Sequence, residues 1–269
     1  MTLRPRYLTA LAFASIALSA PVPAQEEATE AVSTTEAQAV DPMAIDALQR
    51  MGAYLRGLES FELKADDMID EVLDSGQKIM LTKTVELKAR KPDHLRADIA
   101  TDRKAREFYF DGEHFTLYAP EGNFYATVPA PPTIRELLAV LADKYGIEFP
   151  LQDLFYWGSD EGGEADIQAA TWVGAVMIDG HLTDHYAFRQ EVIDWQIWIA
   201  QGDAPLPLRY VVTTKGLPGE PQYIANLSWD TQAAPTDAVF TFAPSKDDLP
   251  IQLVVQTEDQ TTPEDQTTP

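Results

Sequence analysis

The chain has 269 residues, with 43 aspartate and glutamate residues against 20 lysine and arginine residues, and a formal net charge of −23. Such a surface repels phosphate backbones and anionic membranes, which argues against nucleic acid as a partner; the charge is interpreted mainly as surface solvation. The chain contains no cysteine, which excludes disulfides, thiol chemistry, cysteine-ligated metals and a lipid attached to a cysteine.

The first 24 residues are predicted to be a cleaved secretory signal peptide. A basic start with Arg4 and Arg6 precedes an apolar run at 8–18, and the small residues at 22–24 suit a cleavage site. The apolar run is shorter than the roughly 20 residues that a bilayer-spanning helix needs. The sequence therefore predicts a protein of the periplasm or the exterior, without stable membrane insertion.

Composition divides the remainder of the chain into three parts. Residues 25–40 are small, polar and acidic, and residues 251–269 end in Thr, Glu, Asp, Gln and Pro. Neither segment has enough apolar surface to offset its ordering entropy, so both are predicted to be disordered, as an acidic linker and a polar tail. Residues 41–250 are predicted to form one domain, and the 45% hydrophobic content of the chain is normal for a packed core.

The predicted domain begins with a helix. Asp41 suits the N-cap position, and Pro42 suits the first helical position. Gly57 is a candidate end of the helix. Because the apolar residues recur at helical spacing, one face is expected to pack on an apolar surface. This face comprises Ile45, Leu48, Met51 or Gly52, and Leu55.

An antiparallel meander is predicted next, starting with two long strands. Apolar and polar residues alternate in both strands, so one face is expected to be wet, and a Ser-Gly pair at 75–76 marks the turn between them. Shorter alternating segments at 95–99, 108–110, 115–117 and 124–128 extend the sheet. The apolar faces of the long strands comprise Phe61, Leu63, Ala65 and Ile69, then Ile79, Leu81, Val85 and Leu87.

A second helix is predicted at 133–145, after a proline-rich segment. Thr133 is its cap and Glu136 lies three residues on, which is the spacing of a capping box, while Gly146 ends it. Its apolar stripe is expected to plug the concave side of the sheet, and a mobile lid is the alternative. The stripe consists of Ile134, Leu137, Leu138 and Leu141.

Four further strands are predicted over residues 181–229. Their apolar positions again alternate and are rich in aromatic residues, so the sheet is expected to be covered on one face by the helices. The apolar faces comprise Leu182, Tyr186 and Phe188; Ile193, Trp195, Ile197 and Ile199; Leu208, Tyr210 and Val212; and Tyr223, Ala225, Leu227 and Trp229.

This order of elements resembles the half-barrel of the lipoprotein carriers LolA and LolB. More closely, the segments GHLTDHYAFR at 180–189, DWQIWI at 194–199 and PLPLR at 205–209 resemble a bacterial family of predicted periplasmic proteins, the domain of unknown function 2092, over about residues 41–250. The resemblance implies an α+β, mainly β fold: a curved antiparallel half-barrel sheet wrapped around a few helices. It implies no established active site, and the hydrophobic cavity of the carriers follows only by analogy of fold.

Two groups of polar residues are candidates for chemistry. His181 and His185 would share a strand face about 13 Å apart, too far for one metal, with Asp184 on the other face, so hydrogen-bonded histidines are preferred over metal or acid–base use. An acidic cluster could bind calcium or act in acid–base catalysis, but a solvated strand face is preferred. The cluster comprises Asp66, Asp67, Asp70 and Glu71.

No sequence motif supports a cofactor or a catalytic set. The chain contains no G-x-S-x-G, G-x-G-x-x-G, phosphate loop or H-E-x-x-H.

Trp198 is the exception among the aromatics, because it lies on the polar face with Asp194 and Gln196. A large aromatic there indicates either a docked helix or a binding patch.

The leading functional hypothesis is a non-catalytic periplasmic binding or carrier protein for a hydrophobic ligand, such as a lipid or a lipoprotein acyl chain. A protein-interaction or envelope-stress sensor module with a filled concavity is the alternative. A second alternative is an unrecognised hydrolase that uses Asp66, Asp70 or His185. The predicted ligand-binding residues are Trp198, Leu137, Leu138, Leu141, Phe155 and Trp157.

Overall fold

The computed structural model describes residues 39–159 and 162–255. Within them the chain forms three helices and twelve strands that belong to a single sheet. The helices are α1 (Pro42–Gly57), α2 (Ile134–Tyr145) and α3 (Asp237–Phe240). The strands are β1 (Ser60–Val72), β2 (Lys78–Arg90), β3 (His94–Thr101), β4 (Ala105–Phe110), β5 (His114–Ala119), β6 (Phe124–Pro129), β7 (Ala169–Ile178), β8 (His181–Arg189), β9 (Ile193–Ala200), β10 (Pro207–Thr214), β11 (Gln222–Asp230) and β12 (Leu249–Pro250).

The sheet is open, with the strand order β12-β6-β5-β4-β3-β2-β1-β11-β10-β9-β8-β7. A meander runs outward from β1 to β6, the chain then crosses to the other edge, and β7 to β11 return until β11 pairs with β1. Neighbouring strands are antiparallel, except that the two-residue β12 pairs with β6 in parallel. This arrangement confirms the predicted α+β, mainly β fold, in which an antiparallel half-barrel sheet surrounds helices.

Helix α1 forms as its sequence predicts. The Asp41 side chain accepts a hydrogen bond from the backbone N–H of Met43 at 2.9 Å, and Pro42 occupies the first turn. The apolar face of the helix is buried in the core against both halves of the sheet. The buried residues of α1 are Ala44, Ala47, Leu48, Met51, Gly52 and Leu55.

Helix α2 lies in the connection that crosses from β6 to β7. Thr133 caps the helix as predicted, because its Oγ1 accepts a hydrogen bond from the Glu136 backbone N–H at 3.3 Å, and the Thr133 hydroxyl donates to Glu136 Oε2 at 3.0 Å. Gly146 ends the helix in the left-handed conformation that glycine favours. The whole predicted stripe is buried, as the plug interpretation requires: Ile134, Leu137, Leu138 and Leu141.

Strand β7 was not among the predicted elements. It forms an edge of the sheet, and its side chains do not alternate between buried and exposed, so it lacks the period of two by which the other strands were recognised. A register shift between Trp172 and Gly174 breaks the alternation further. Several of its apolar side chains are exposed: Trp172, Val173, Val176 and Met177.

The C-terminal segment covers part of the sheet face that points away from α1 and α2. Phe240 on α3 is fully buried, with its ring 5.2 Å from the ring of His94 on β3. Phe242 packs among the rings of Tyr109, Tyr118 and Tyr125, with centroids 5.1–5.3 Å away. Because of this cover, Tyr109 is only 8% exposed although its strand neighbours Phe108 and Phe110 face the opposite side.

The described residues extend slightly beyond the predicted domain at both ends. Val40 forms a β-bridge with Ala170 of β7. The backbone N–H of Ile251 donates to the Tyr125 carbonyl oxygen at 2.7 Å, which continues the pairing of β12 with β6. The predicted signal peptide, most of the predicted linker and residues 256–269 of the predicted tail lie outside the described residues.

Candidate functional site

An open groove lies where the end of α1, the start of α2 and the 3₁₀ turn Gln152–Phe155 meet the sheet. Its volume is about 660 Å³, within the range of about 300–1,000 Å³ that is usual for ligand sites. β1 begins and β2 ends at this place, so Phe61 and Lys91 line the groove together. The apolar part of the lining is formed by Leu55, Phe61, Pro92, Ile134, Ala139, Leu154 and Phe155.

Three basic side chains also line this groove, although the chain as a whole is acidic. Lys91 Nζ donates to the carbonyl oxygens of Leu55 and Arg56 at 2.8 and 2.9 Å, at the end of α1. Arg56 donates from a guanidinium nitrogen to the Trp157 carbonyl oxygen at 3.0 Å. Arg135 places its guanidinium 5.3 Å from the centre of the Tyr156 ring. The groove thus combines an apolar wall with a basic margin.

The sequence predicted only some of the residues that line this groove. Phe155 lines the groove, as do Ile134 and Ala139 of the predicted helix, but Arg56 and Lys91 were missed. They lie 35 residues apart in the sequence, and only the pairing of β1 with β2 brings them together. The only local signal was their position beside Gly57 and Pro92, where a helix and a strand end.

The other predicted ligand-binding residues lie elsewhere. Leu137, Leu138 and Leu141 are at most 1% exposed and form part of the core. Leu138 and Trp157 also line a smaller cavity of about 310 Å³ beside the same helix. A ligand that contacts Leu137 or Leu141 would therefore have to displace α2 from the sheet.

Trp198 lies on the sheet face opposite the groove. Its strand neighbours Ile197 and Ile199 are buried under the helices, whereas its own ring stacks on His185 of β8, with centroids 4.0 Å apart. On the other side, the Arg209 guanidinium of β10 lies 5.8 Å from the centre of the Trp198 ring. The Trp198 ring is therefore packed in a cross-strand stack with His185, and not under a docked helix, which was one of the two predictions.

The two histidines of β8 have separate environments. His181 is exposed, while His185 shares a hydrogen bond between Nε2 and Gln196 Oε1 at 3.0 Å. Burial under the tryptophan stack lowers the pKa of His185. This agrees with the predicted hydrogen-bonded role of a strand histidine.

Asp67 corrects the prediction of a solvated acidic face. Its side chain points to the helix-covered side of the sheet and is 1% exposed, whereas Asp66 points outward and is exposed. Lys83, its direct partner across the β1–β2 pair, approaches Asp67 Oδ2 to 3.3 Å. Tyr223 donates its hydroxyl to the same oxygen at 2.7 Å. Asp70 is also shielded, because Lys78 lies 2.8 Å from its carboxylate.

The Asp67 cluster could have been recognised from the alternation of the two strands. Asp67 falls on the same face as Phe61, and Lys83 falls on the same face as Val85, so each charge interrupts an apolar stripe. A turn centred on Ser75 pairs positions 67 and 83 directly. The cluster lies six residues along β1 from Phe61, about 20 Å from that end of the groove.

Burial governs protonation in the Asp67 cluster. It raises the pKa of Asp67, and this outweighs the lowering by the Tyr223 hydroxyl and the Lys83 ammonium group. Burial also raises the pKa of Tyr223 well above the usual range. The second carboxylate oxygen of Asp67, Oδ1, is buried and has no hydrogen-bond partner within the described part of the chain.

A carboxyl group with a raised pKa weakens the fold as the pH rises. Asp67 binds its proton more tightly in the folded protein than in the unfolded chain. The contribution of protonated Asp67 to the free energy of unfolding is therefore fully present below about pH 4 and declines as the pH rises through the pKa of the folded state. Asp67→Asn removes that decline. We therefore expect the free energy of unfolding of the variant, minus that of the wild type, to increase from about pH 4 to about pH 7.

Urea unfolding at a series of pH values measures this difference. Asp66→Asn, on the exposed face of the same strand, controls for the loss of one carboxylate. A difference that decreases over this pH range would mean that Lys83 and Tyr223 outweigh burial.

The residues of the hydrolase hypothesis do not converge. Asp66 and Asp70 lie on β1 and His185 on β8, four strands away in the sheet, which is about 19 Å at the usual strand spacing. Residues 39–159 and 162–255 contain no group of three or more histidine, aspartate and glutamate side chains placed to hold a metal ion. Nor do these residues include a helix both long and apolar enough to cross a bilayer.

The fold and the groove define a helix-filled, open half-barrel with a partly apolar site at one end. A model of the family described as predicted periplasmic protein (DUF2092) matches residues 44–254, and the chain belongs to this family. No curated protein matches the sequence significantly.

Solved structures with a similar fold include three bacterial proteins. The Mycobacterium tuberculosis lipoprotein LppX is 13% identical at a TM-score of 0.44, and the match covers 70% of this chain and 94% of LppX. LprF from Mycobacterium bovis is 14% identical at 0.41, covering 70% and 93%. A LolA superfamily protein from Nitrosomonas europaea is 10% identical at 0.33, covering 74% and 97%. At such scores the function has to be inferred from the residues of this chain.

Proposed function

We propose that this protein is a non-catalytic periplasmic binding or carrier protein for a hydrophobic ligand, such as a lipid or an acyl chain. The observation that carries this proposal is the groove of about 660 Å³ with Phe61, Leu154 and Phe155 in its wall. Each Å² of apolar surface that is removed from water on binding contributes about 25 cal/mol to the binding free energy, before the costs of association are subtracted. An apolar wall therefore favours a ligand with an apolar chain.

The groove also favours this proposal over a sensor with a filled concavity. Helices α1 and α2 fill most of the concave side, but they leave the space between their ends open. Ligand entry at this end needs no displacement of the buried stripe of α2. Deeper insertion, toward Leu137 and Leu141, would need α2 to move.

The bound ligand can be identified directly. Protein purified from its native host is extracted with organic solvent, and the extract is analysed by mass spectrometry. We expect a reproducible amphiphile in the extract, and binding of a fluorescent fatty acid by the extracted protein. Protein that carries no ligand and binds no such probe would contradict the proposal.

Filling the groove provides a structural test. Ala139 is an exposed residue of α2 that lines the groove, so Ala139→Phe places a ring inside it. We expect binding of the fluorescent fatty acid to weaken by about tenfold, or about 1.4 kcal/mol. Ala53→Phe is the matched control, because Ala53 is an exposed alanine of α1 that does not line the groove. Equal affinity of the two variants would place the ligand elsewhere.

A further inference from the structure

Cations are scarce in this chain, and most of those in the described residues are neutralised by carboxylates. Lys83 approaches Asp67 to 3.3 Å, for example, and Arg189 approaches Asp194 to 2.7 Å. Arg56 and Lys91 are among the exceptions, because their hydrogen bonds within the described part of the chain go to backbone carbonyl oxygens rather than carboxylates. A chain with 43 acidic residues thus leaves two neighbouring cations without an acidic partner there.

The two groups retain donors for a ligand. An ammonium group has three N–H donors and a guanidinium has five. Lys91 uses two of its donors on the carbonyl oxygens of Leu55 and Arg56, and Arg56 uses one nitrogen on the Trp157 carbonyl oxygen. Cations stabilise a helix C-terminus, which accounts for the position of both Lys91 and Arg56, a residue of the last turn of α1, and the remaining N–H donors of both groups are left for a ligand.

The electrostatic environment of Lys91 favours an added anion. Burial, and then the neighbouring guanidinium of Arg56, lower the pKa of Lys91. Two like charges in a partly buried place repel each other, and an anion between them would relieve that repulsion. The Glu136 carboxylate also lines the groove and accepts a hydrogen bond from the Thr133 hydroxyl at 3.0 Å.

The net charge of the whole protein does not prevent anion binding in the groove. Charges more than about 8 Å apart are largely screened at physiological ionic strength, so most of the acidic surface acts weakly on the groove. Hydrogen bonds from cations to an anion in contact are short and charge-assisted, and they are screened much less when partly buried.

We infer that the groove binds an anionic amphiphile, whose carboxylate or phosphate head group contacts Arg56 and Lys91 and whose apolar chain lies along Phe61 and Phe155. This inference rests on the proposed function, because it assigns the ligand class for the same groove. A neutral lipid would supply no anionic partner for the two cations, and a cationic amphiphile would be repelled.

Calorimetry on the purified, extracted protein tests the head group with ligands that share one dodecyl chain. The ligands are laurate, monododecyl phosphate, dodecanol and dodecyltrimethylammonium, each below its aggregation concentration. We expect both anions to bind about tenfold or more tightly than dodecanol. The laurate and phosphate arms distinguish a fatty acid from a phosphate head group.

Charge-removing variants assign the preference to residues. Arg56→Met and Lys91→Met keep the apolar stems, and each is expected to lose most of the anion preference, measured as the ratio of laurate to dodecanol affinity within the same variant. Lys91→Arg is expected to retain the preference. Lys144→Met is the matched control, because Lys144 is an exposed lysine of α2 that does not line the groove. Thermal unfolding verifies that each variant is folded.

The outcomes separate this inference from the proposed function. Dodecanol binding as tightly as laurate, or an anion preference that survives both methionine variants, would overturn the inference and leave a hydrophobic groove. Failure of all four ligands to bind would overturn the proposed function as well. Should Lys91→Met fail to fold, the exposed Arg56 still gives the test through Arg56→Met.

Discussion

Phe240→Ala is expected to lower the free energy of unfolding by about 3–5 kcal/mol. The ring is fully buried between the C-terminal segment and the sheet, where it contacts the ring of His94 and lies 5.3 Å from the Arg90 guanidinium. Its removal leaves a cavity that the short helix α3 cannot close without moving. Arg90 and Asp237, 2.5 Å apart beside the ring, would remain in contact, as would Arg96 and the Val239 carbonyl oxygen, 3.5 Å apart.

Urea unfolding of the purified protein measures this effect, and Phe124→Ala is the matched control. Phe124, the first residue of β6, is 40% exposed, so the same truncation there removes much less buried surface and is expected to cost about 1 kcal/mol or less. Hydrogen exchange would show whether the C-terminal segment opens alone or with the sheet. Equal losses in the two variants would mean that the segment does not dock on the sheet.

Gly52→Ala is expected to lower the free energy of unfolding by about 2 kcal/mol, although alanine is the better helix former. A Cβ atom at Gly52 would lie 2.7 Å from Gly158 Cα and 2.8 Å from the carbonyl carbon of Trp157. These are backbone atoms, so no side-chain rotation can relieve the contact. Helix α1 or the segment at 157–158 has to shift, and the hydrogen bond from Arg56 to Trp157 is expected to weaken with it.

Gly57→Ala controls for the gain in helix propensity. A Cβ atom at Gly57 would have no neighbour within 4 Å. The free energy of unfolding of this variant is therefore expected to equal that of the wild type or to exceed it by at most about 1 kcal/mol. Thermal or urea unfolding distinguishes the two variants. If Gly52→Ala were as stable as Gly57→Ala, the close approach of α1 to residues 157–158 would not exist in solution.

Local signals were sufficient for most of the elements. The capping groups at Asp41 and Thr133 predicted where α1 and α2 begin, because a cap acts within one turn of its helix. Alternation predicted β1, β2 and the strands of 181–229, since each has one buried and one wetter face. β7 was missed because an edge strand exposed on both faces has no such alternation.

The candidate site was much less predictable than the elements. Phe155 was expected at a ligand site and lines the groove, but Leu137 and Leu141, expected there as well, are sealed in the core. A helical stripe indicates burial without showing what covers it, so the same pattern suits both a plug and a pocket wall. Asp67 was assigned to a solvated cluster because its neighbours in sequence are acidic, whereas its strand face is apolar.

The sequence by itself determined the acidic surface, the mainly β class, the boundaries of α1 and α2 and the inward face of each long strand. These properties depend on composition, or on hydrogen bonds and periodicity within a few residues. Only the tertiary structure decided that Arg56 and Lys91 meet beside Phe61 at an open groove, and that Asp67 and Tyr223 meet inside the sheet. Such meetings depend on which strands become neighbours when β11 returns to β1, and no local pattern records that pairing.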